Sequence, residues 1–252
     1  MCIVDPLDGT KSYAKGQYEC VSTLVAIVLD NKPIFGDICK PFGDCHSQSL
    51  SPCFAVYGGT LLNGAYIINV PSNNYSNNYA KLLQGEQLQQ QNLLQPLQIP
   101  RDQPTKAIIS SSRSGGIVRE ICTELHSQGM LITVEPILVS GAGNKALRLL
   151  VPQGGEALEP FPKSGTSLWD VAAADALLTA VGGCLTDKYG HPINYSSDCT
   201  ENTSGIIASN RKDLHQACID TIRKITATTT NYEDDVCSRN QEDSSQARHN
   251  KN

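Results

Sequence analysis

Two short acidic stretches lie far apart in this chain, Ile3-Val4-Asp5-Pro6-Leu7-Asp8-Gly9-Thr10 near its start and Leu168-Trp169-Asp170 well beyond its middle. Whether the fold brings them together constrains almost everything else. An apolar run that stops at Asp5-Pro6 predicts a strand at its end, because proline has no N–H for a further ladder bond and holds the preceding residue extended. Asp5 and Asp8 then flank a tight turn, with Gly9 allowing a sharp bend. Magnesium is a hard cation that takes oxygen ligands at about 2.0–2.1 Å, and such a turn offers two carboxylates with a backbone carbonyl between them. Alone, Asp-Pro and Asp-Gly are ordinary turn dipeptides. The second stretch adds weight: Trp169-Asp170 opens a run rich in helix formers that ends at Gly182-Gly183. Asp170 is therefore expected at a helix N-terminus, where it either caps the helix or projects a fixed carboxylate toward Asp5 and Asp8.

The rest of the chain reads as two kinds of pattern. Residues 21–29 are almost continuously apolar, are broken by Asp30-Asn31-Lys32-Pro33, and resume at 34–38, which predicts a hairpin of buried strands. Strands at 54–57 and 65–70 continue this meander. Residues 84–98 are glutamine-rich and are expected to form a mobile insertion. From Lys106 onward strands at 107–110 and 131–138 alternate with a helix at 118–128. A helix is expected over 144–151, an irregular Gly- and Pro-containing patch over 151–160, a last strand at 205–209 and a closing helix at 214–225. These elements divide the chain into an α+β part with an antiparallel sheet (1–105), an α/β part (106–225) and a tail (226–252) whose polar composition predicts disorder.

Asp5-Pro6-Leu7-Asp8-Gly9-Thr10, Trp169-Asp170 and Gly182-Gly183, in that order, resemble the signature of the lithium-sensitive, magnesium-dependent phosphomonoesterases. That inositol monophosphatase-like superfamily includes inositol polyphosphate 1-phosphatases and 3'(2'),5'-bisphosphate nucleotidases. Asp8-Gly9-Thr10-Lys11 and Gly141-Ala142-Gly143-Asn144-Lys145 are similar to the nucleotidase branch, and Tyr13-Ala14-Lys15-Gly16 to the polyphosphate 1-phosphatases. The resemblance implies a layered αβαβα, sugar-phosphatase-like α/β fold lacking its N-terminal portion. It implies Mg2+-dependent hydrolysis of the 3'-phosphate of adenosine 3',5'-bisphosphate, or of its sulfated relative, to 5'-AMP by in-line attack of water at a two-metal site. Hydrolysis of inositol phosphates and a non-catalytic anion- or metal-binding role are the alternatives.

Position by position, the resemblance implies that Asp5 bridges two Mg2+ ions, that the Leu7 carbonyl ligates the first, and that Asp8 and Asp170 hold the second. Thr10 is implied as the catalytic residue beside the attacking water. Thr10, Ser112, Gly141 and Lys145 are implied as substrate contacts, Lys145 as a point charge for a second phosphate. Read from residues alone, Lys145 is a lysine early in a helix, and Ser110 to Ser114 is a hydroxyl-rich strand end. Ser112 and Gly115 stand where the nucleotidase branch has a Thr and, three residues later, a His. The resemblance also places a water-activating Asp with a Thr, and a Glu ligand, upstream of the Asp-Pro segment, where only Met1-Cys2-Ile3-Val4 stand here; a truncated chain is the expectation.

Composition narrows the remaining classes. With 252 residues, 40% of them hydrophobic, the chain can bury one large core or two small ones. A formal net charge of −5 argues against nucleic acid or a membrane surface as partner. A small phosphorylated molecule is the expected partner, drawn by magnesium together with Lys11 and Lys145. No apolar run reaches the length of about 18 residues needed to span a bilayer, and no charged-then-apolar leader opens the chain. The ten cysteines are scattered with no Cys-x-x-Cys pair, which predicts the reduced thiols of a cytoplasmic protein.

Overall fold

The computed structural model describes residues 1–43, 53–70, 94–96, 105–110, 115–152, 154–163, 165–196 and 198–227. Six strands form an antiparallel sheet in sequence order: β1 (Cys2–Asp8), β2 (Ser22–Leu29), β3 (Lys32–Lys40), β4 (Cys53–Gly59), β5 (Gly64–Val70) and β6 (Leu94–Pro96). A one-turn helix, α1 (Thr10–Tyr13), follows β1. Leu29 faces Lys32 across the β2–β3 hairpin, so the turn is Asp30 and Asn31 alone, both left-handed with φ 49° and 59°. Asp and Asn tolerate that conformation better than other side chains, and such two-residue turns match the twist of the strands they join. The expected hairpin is there, but its strands alternate: Leu24, Ala26 and Val28 are buried while Ile27 and Leu29 are exposed on the other face.

A second, mixed sheet has the order β11-β13-β9-β7-β8, built from β7 (Lys106–Ile109), β8 (Ile137–Leu138), β9 (Glu156–Phe161), β11 (Cys184–Thr186) and β13 (Ile206–Ser209). A small ladder joins β10 (Thr166–Ser167) to β12 (Glu201–Asn202). The helices are α2 (Gly116–Ser127), α3 (Ala142–Leu150), α4 (Leu168–Ala180) and α5 (212–227). One core lies between the two sheets and takes in α3 and α4; a second joins the far face of β7, β9 and β13 to α2 and α5. The described residues thus stack as sheet, helices, sheet, helices, four of the five layers expected.

Two sequence expectations are corrected. The strand at 131–138 shrinks to Ile137–Leu138, since Pro136 brings no N–H to a ladder and the Ile132 amide bonds instead to the Thr105 carbonyl. The supposedly irregular patch at 151–160 contains β9, a fully buried strand at the centre of the second sheet. Both its faces are covered, so no polar alternation marks it. Pro160 lies beyond the stretch that pairs with β7, where that edge has no ladder to interrupt. Of the glutamine-rich segment only Leu94–Pro96 is described, as a strand paired with β5; the remainder, and the tail beyond 227, lie outside the described residues. No helix among those described is long and apolar enough to cross a membrane.

Helix α4 packs against strands of both sheets. It buries Leu168, Val171, Ala172, Ala173, Ala174, Ala176, Leu177 and Leu178, apolar on nearly every side because it lies between two sheets. Its Asp175 accepts a hydrogen bond at 2.8 Å from the hydroxyl of buried Tyr195, and burial lifts its carboxyl from 3.8 to about 6. Between those values the folded protein holds a proton that the unfolded chain has released, so this group's contribution to stability falls as pH rises through the window. Asp175→Asn keeps an acceptor for Tyr195 and is expected to stabilise the protein by about 2 kcal/mol at pH 7 and by almost nothing at pH 4. Denaturant midpoints at the two pH values measure this; an equal effect at both would show that the charge is not the cause.

Candidate active site

Residues three apart on a regular strand point to opposite faces, so Asp5 and Asp8 would be separated if β1 were regular. It is not. Asp5 pairs with Leu24 but Asp8 with Ser22, three steps on β1 against two on β2, and this bulge returns both carboxylates to one side. Strand β1 therefore runs through Asp5-Pro6 rather than stopping there, and Pro6, which lacks a donor, sits within the bulge. The Leu7 amide donates to Asp5 Oδ1 at 3.1 Å, closing the expected tight turn locally.

Asp8 is buried and held by three donors. Ser22 Oγ and the Gly143 amide donate to its Oδ2 at 2.8 and 2.9 Å, and the Ala142 amide donates to its Oδ1 at 3.1 Å. Two of these are first-turn amides of α3, whose helix dipole favours an anion there. Gly141 makes the approach possible: its φ is 83°, and a Cβ on it would lie 2.5 Å from the Cys20 carbonyl oxygen and 3.2 Å from Asp8 Oδ2. Asp170 comes from the opposite direction, on the first turn of α4. The helix starts two residues before it, with Ser167 as the N-terminal flanking residue, and the Asp170 carboxylate takes a hydrogen bond from the Ser167 amide. Asp170 is therefore not the residue preceding the helix but the back-reaching acceptor of its first turn.

The structure brings Asp5, Asp8 and Asp170 together with one ligand oxygen from each within 4.8 Å of the others. Burial first, then the charges of Asp8 and Asp5, push the Asp170 carboxyl up to about 6, against the lowering effect of the Ser167 amide and of Lys145. Burial likewise raises Asp5, with the Leu7 amide acting against it and Asp8 adding to it. Three such groups repel one another unless a cation sits among them. An all-oxygen carboxylate set, with neither thiol nor imidazole in it, fits a hard divalent ion such as Mg2+.

Beside the cluster opens a cavity of about 300 Å³ lined by Asp8, Thr10, Lys11, Ser110, Gly141, Lys145, Glu159, Thr166 and Asp170 on its polar side, and by Phe161, Leu178, Leu185 and Ile206 among its apolar walls. Thr10 is exposed at the start of α1, and Leu7 is part of the bulge between Asp5 and Asp8. Lys145 is not the surface lysine its residues alone would suggest: its ammonium pairs with Glu159 of β9 inside the cavity. Ser112 lies outside the described residues. Glu159 and Thr166 were not anticipated; Glu159 was detectable as one of two acids, with Glu156, in the otherwise apolar 156–161 segment, while nothing in the sequence distinguishes Thr166.

The sequence profile of the inositol monophosphatase family matches residues 1–227. The chain belongs to the inositol monophosphatase family. It is 29% identical over 233 residues to 3'(2'),5'-bisphosphate nucleotidase 1 of Dictyostelium discoideum, a match covering 87% of this chain and 62% of that protein. Against the rat, human and mouse proteins of the same name the chain spans 56% of the relative, so it covers little more than half the length of these family members. Among solved structures it resembles 2'AMP-bound SaIMPase-II (TM-score 0.60, 18% identity, 93% of this chain and 73% of that one). It also resembles an IMPase/NADP phosphatase complexed with Mg2+ and phosphate (TM-score 0.54, 15% identity, 87% and 65%). At these identities the structural matches speak for the family's fold, which is the mixed α/β layering described above.

Proposed function

We propose that this chain carries a Mg2+-dependent phosphomonoesterase site whose substrate is adenosine 3',5'-bisphosphate or its sulfated relative, hydrolysed at the 3'-phosphate to 5'-AMP. The observation that carries the reading is the convergence of Asp5, Asp8 and Asp170, the last two of which line the cavity. These carboxylates, with the Leu7 carbonyl, would hold Mg2+, which supplies charge neutralisation for the phosphoryl group and a more acidic bound water. The chain's own part is positioning: Asp8 is held rigid by three donors, Asp170 by its helix, and Thr10 stands at the cavity edge where a phosphate oxygen or water can accept or donate a hydrogen bond. Gly141 keeps the first turn of α3 against this edge. The nucleotide preference is supported by the similarity to bisphosphate nucleotidase 1. A cytoplasmic setting is part of the same proposal, in keeping with ten cysteines scattered through the sequence with no Cys-x-x-Cys pair among them.

One observation favours inositol phosphates as the second reading: the Lys145 ammonium is already paired with Glu159 and is not waiting for a second phosphate. The two readings separate in one assay. Phosphate release is measured from adenosine 3',5'-bisphosphate and from inositol 1-phosphate at matched concentrations, with Mg2+ and with EDTA, for this chain and for a version extended upstream. Mg2+-dependent release, greater from the nucleotide, is the expected result. Greater release from inositol phosphate would transfer the assignment to the second reading, and silence from both proteins on both substrates would overturn the phosphatase reading.

A further inference from the structure

Lys145 and Glu159 meet in the cavity as a hydrogen-bonded ion pair, their side chains 12% and 7% exposed. Lys145 is carried by the first turn of α3 and Glu159 by β9, so the two are held by separate rigid elements. A buried carboxylate without a cation, or the reverse, is far costlier than the pair, and this makes each the other's standing partner. Around the cavity and its carboxylate cluster, Asp5, Asp8, Asp170 and Glu159 set four formal negative charges against two positive ones on Lys11 and Lys145, among the described residues. A phosphate that reaches for Lys145 must therefore compete with Glu159 at short range and in a low-dielectric pocket, where charge competition is strongest.

We infer that Glu159 is a specificity-determining residue: it withholds the Lys145 ammonium from a second phosphate, so that the site turns over monophosphate and bisphosphate esters with little discrimination. This rests on the phosphomonoesterase reading. It broadens the substrate class from the 3',5'-bisphosphate to nucleoside 3'-monophosphates, in which the phosphate being removed, rather than a second one, supplies the recognised charge.

The test compares kcat/KM for adenosine 3',5'-bisphosphate and 3'-AMP in the wild-type protein and in Glu159→Gln, which preserves shape and hydrogen bonding. The wild-type values should lie within about fivefold of each other. Glu159→Gln should shift the ratio toward the bisphosphate by roughly tenfold, through KM, the scale of one charge-assisted hydrogen bond regained, and Lys145→Met added to it should abolish the shift. A second readout does not depend on turnover: the dissociation constant of 5'-AMP, which carries the second phosphate alone, should tighten about tenfold in Glu159→Gln with Mg2+ present. A strong wild-type preference for the bisphosphate, an unmoved ratio, or an unmoved 5'-AMP affinity would each overturn the inference. If neither substrate is turned over by this chain or by the version extended upstream, the phosphatase reading fails by itself, and the 5'-AMP measurement still decides the role of Glu159.

Discussion

Asp170→Asn is expected to lower Mg2+-dependent phosphate release by at least about 100-fold, the loss seen when one electrostatic contact to a developing charge is removed, while the fold survives. The asparagine keeps an oxygen for the Ser167 amide and leaves the buried face of α4 untouched. What it removes is one of three negative charges whose ligand atoms lie within 4.8 Å of one another. Because burial and its two acidic neighbours lift the Asp170 carboxyl to about 6, the ionised group opposes folding at pH 7 in the absence of a cation. The variant should therefore melt at higher temperature than the wild type in EDTA and respond less to added Mg2+. Stability gained and activity lost in one substitution is the mark of a site built at the expense of the fold. Undiminished phosphate release would remove Asp170 from the metal set.

Gly36→Val should damage the scaffold severely. A Cβ at Gly36 would stand 2.4 Å from the Ala173 carbonyl oxygen and 3.0 Å from its carbonyl carbon and Cα. Those are backbone atoms in the middle of α4, with no rotamer by which to withdraw. Helix and sheet must separate, and overpacking of this kind costs on the order of 3 kcal/mol or more. The same displacement would carry Asp170 away from Asp5 and Asp8, and an ångström of misplacement at a reacting centre costs about 100-fold in rate. The denaturant midpoint and phosphate release are expected to fall together. A midpoint equal to that of the wild type would mean that α4 does not need this close seat on β3.

How far the site was legible follows from how local each constraint is. Strand and hairpin patterns in the first part were readable because a run of branched apolar residues interrupted by Asp30-Asn31 is a local signal, and the two left-handed residues of that turn depend on nothing remote. Strand β9 was misread for the opposite reason. Its acids are buried because Lys145 and Arg148 on α3 meet them, and although the partners lie only 14 and 8 residues apart, their pairing depends on how α3 packs against β9, which no propensity or periodicity reports. The strand at 131–138 failed on a local feature that was visible, Pro136, which leaves two paired residues at the sheet edge.

By itself the sequence marked Asp5, Asp8 and Asp170 as candidate ligands of a hard cation and set Asp170 near the start of a helix, because proline, glycine and helix propensity act over a few bonds. It also carried the family motifs, now matched over residues 1–227. Only the tertiary structure decided that Asp5 and Asp8 share a face, since that turns on a register slip against β2. It alone seated the α3 amides on Asp8, across more than 130 residues, and set Glu159 against Lys145. These are pairings between separate elements, and the free energy that selects them comes from packing two sheets around α3 and α4, a quantity that no short stretch of chain contains.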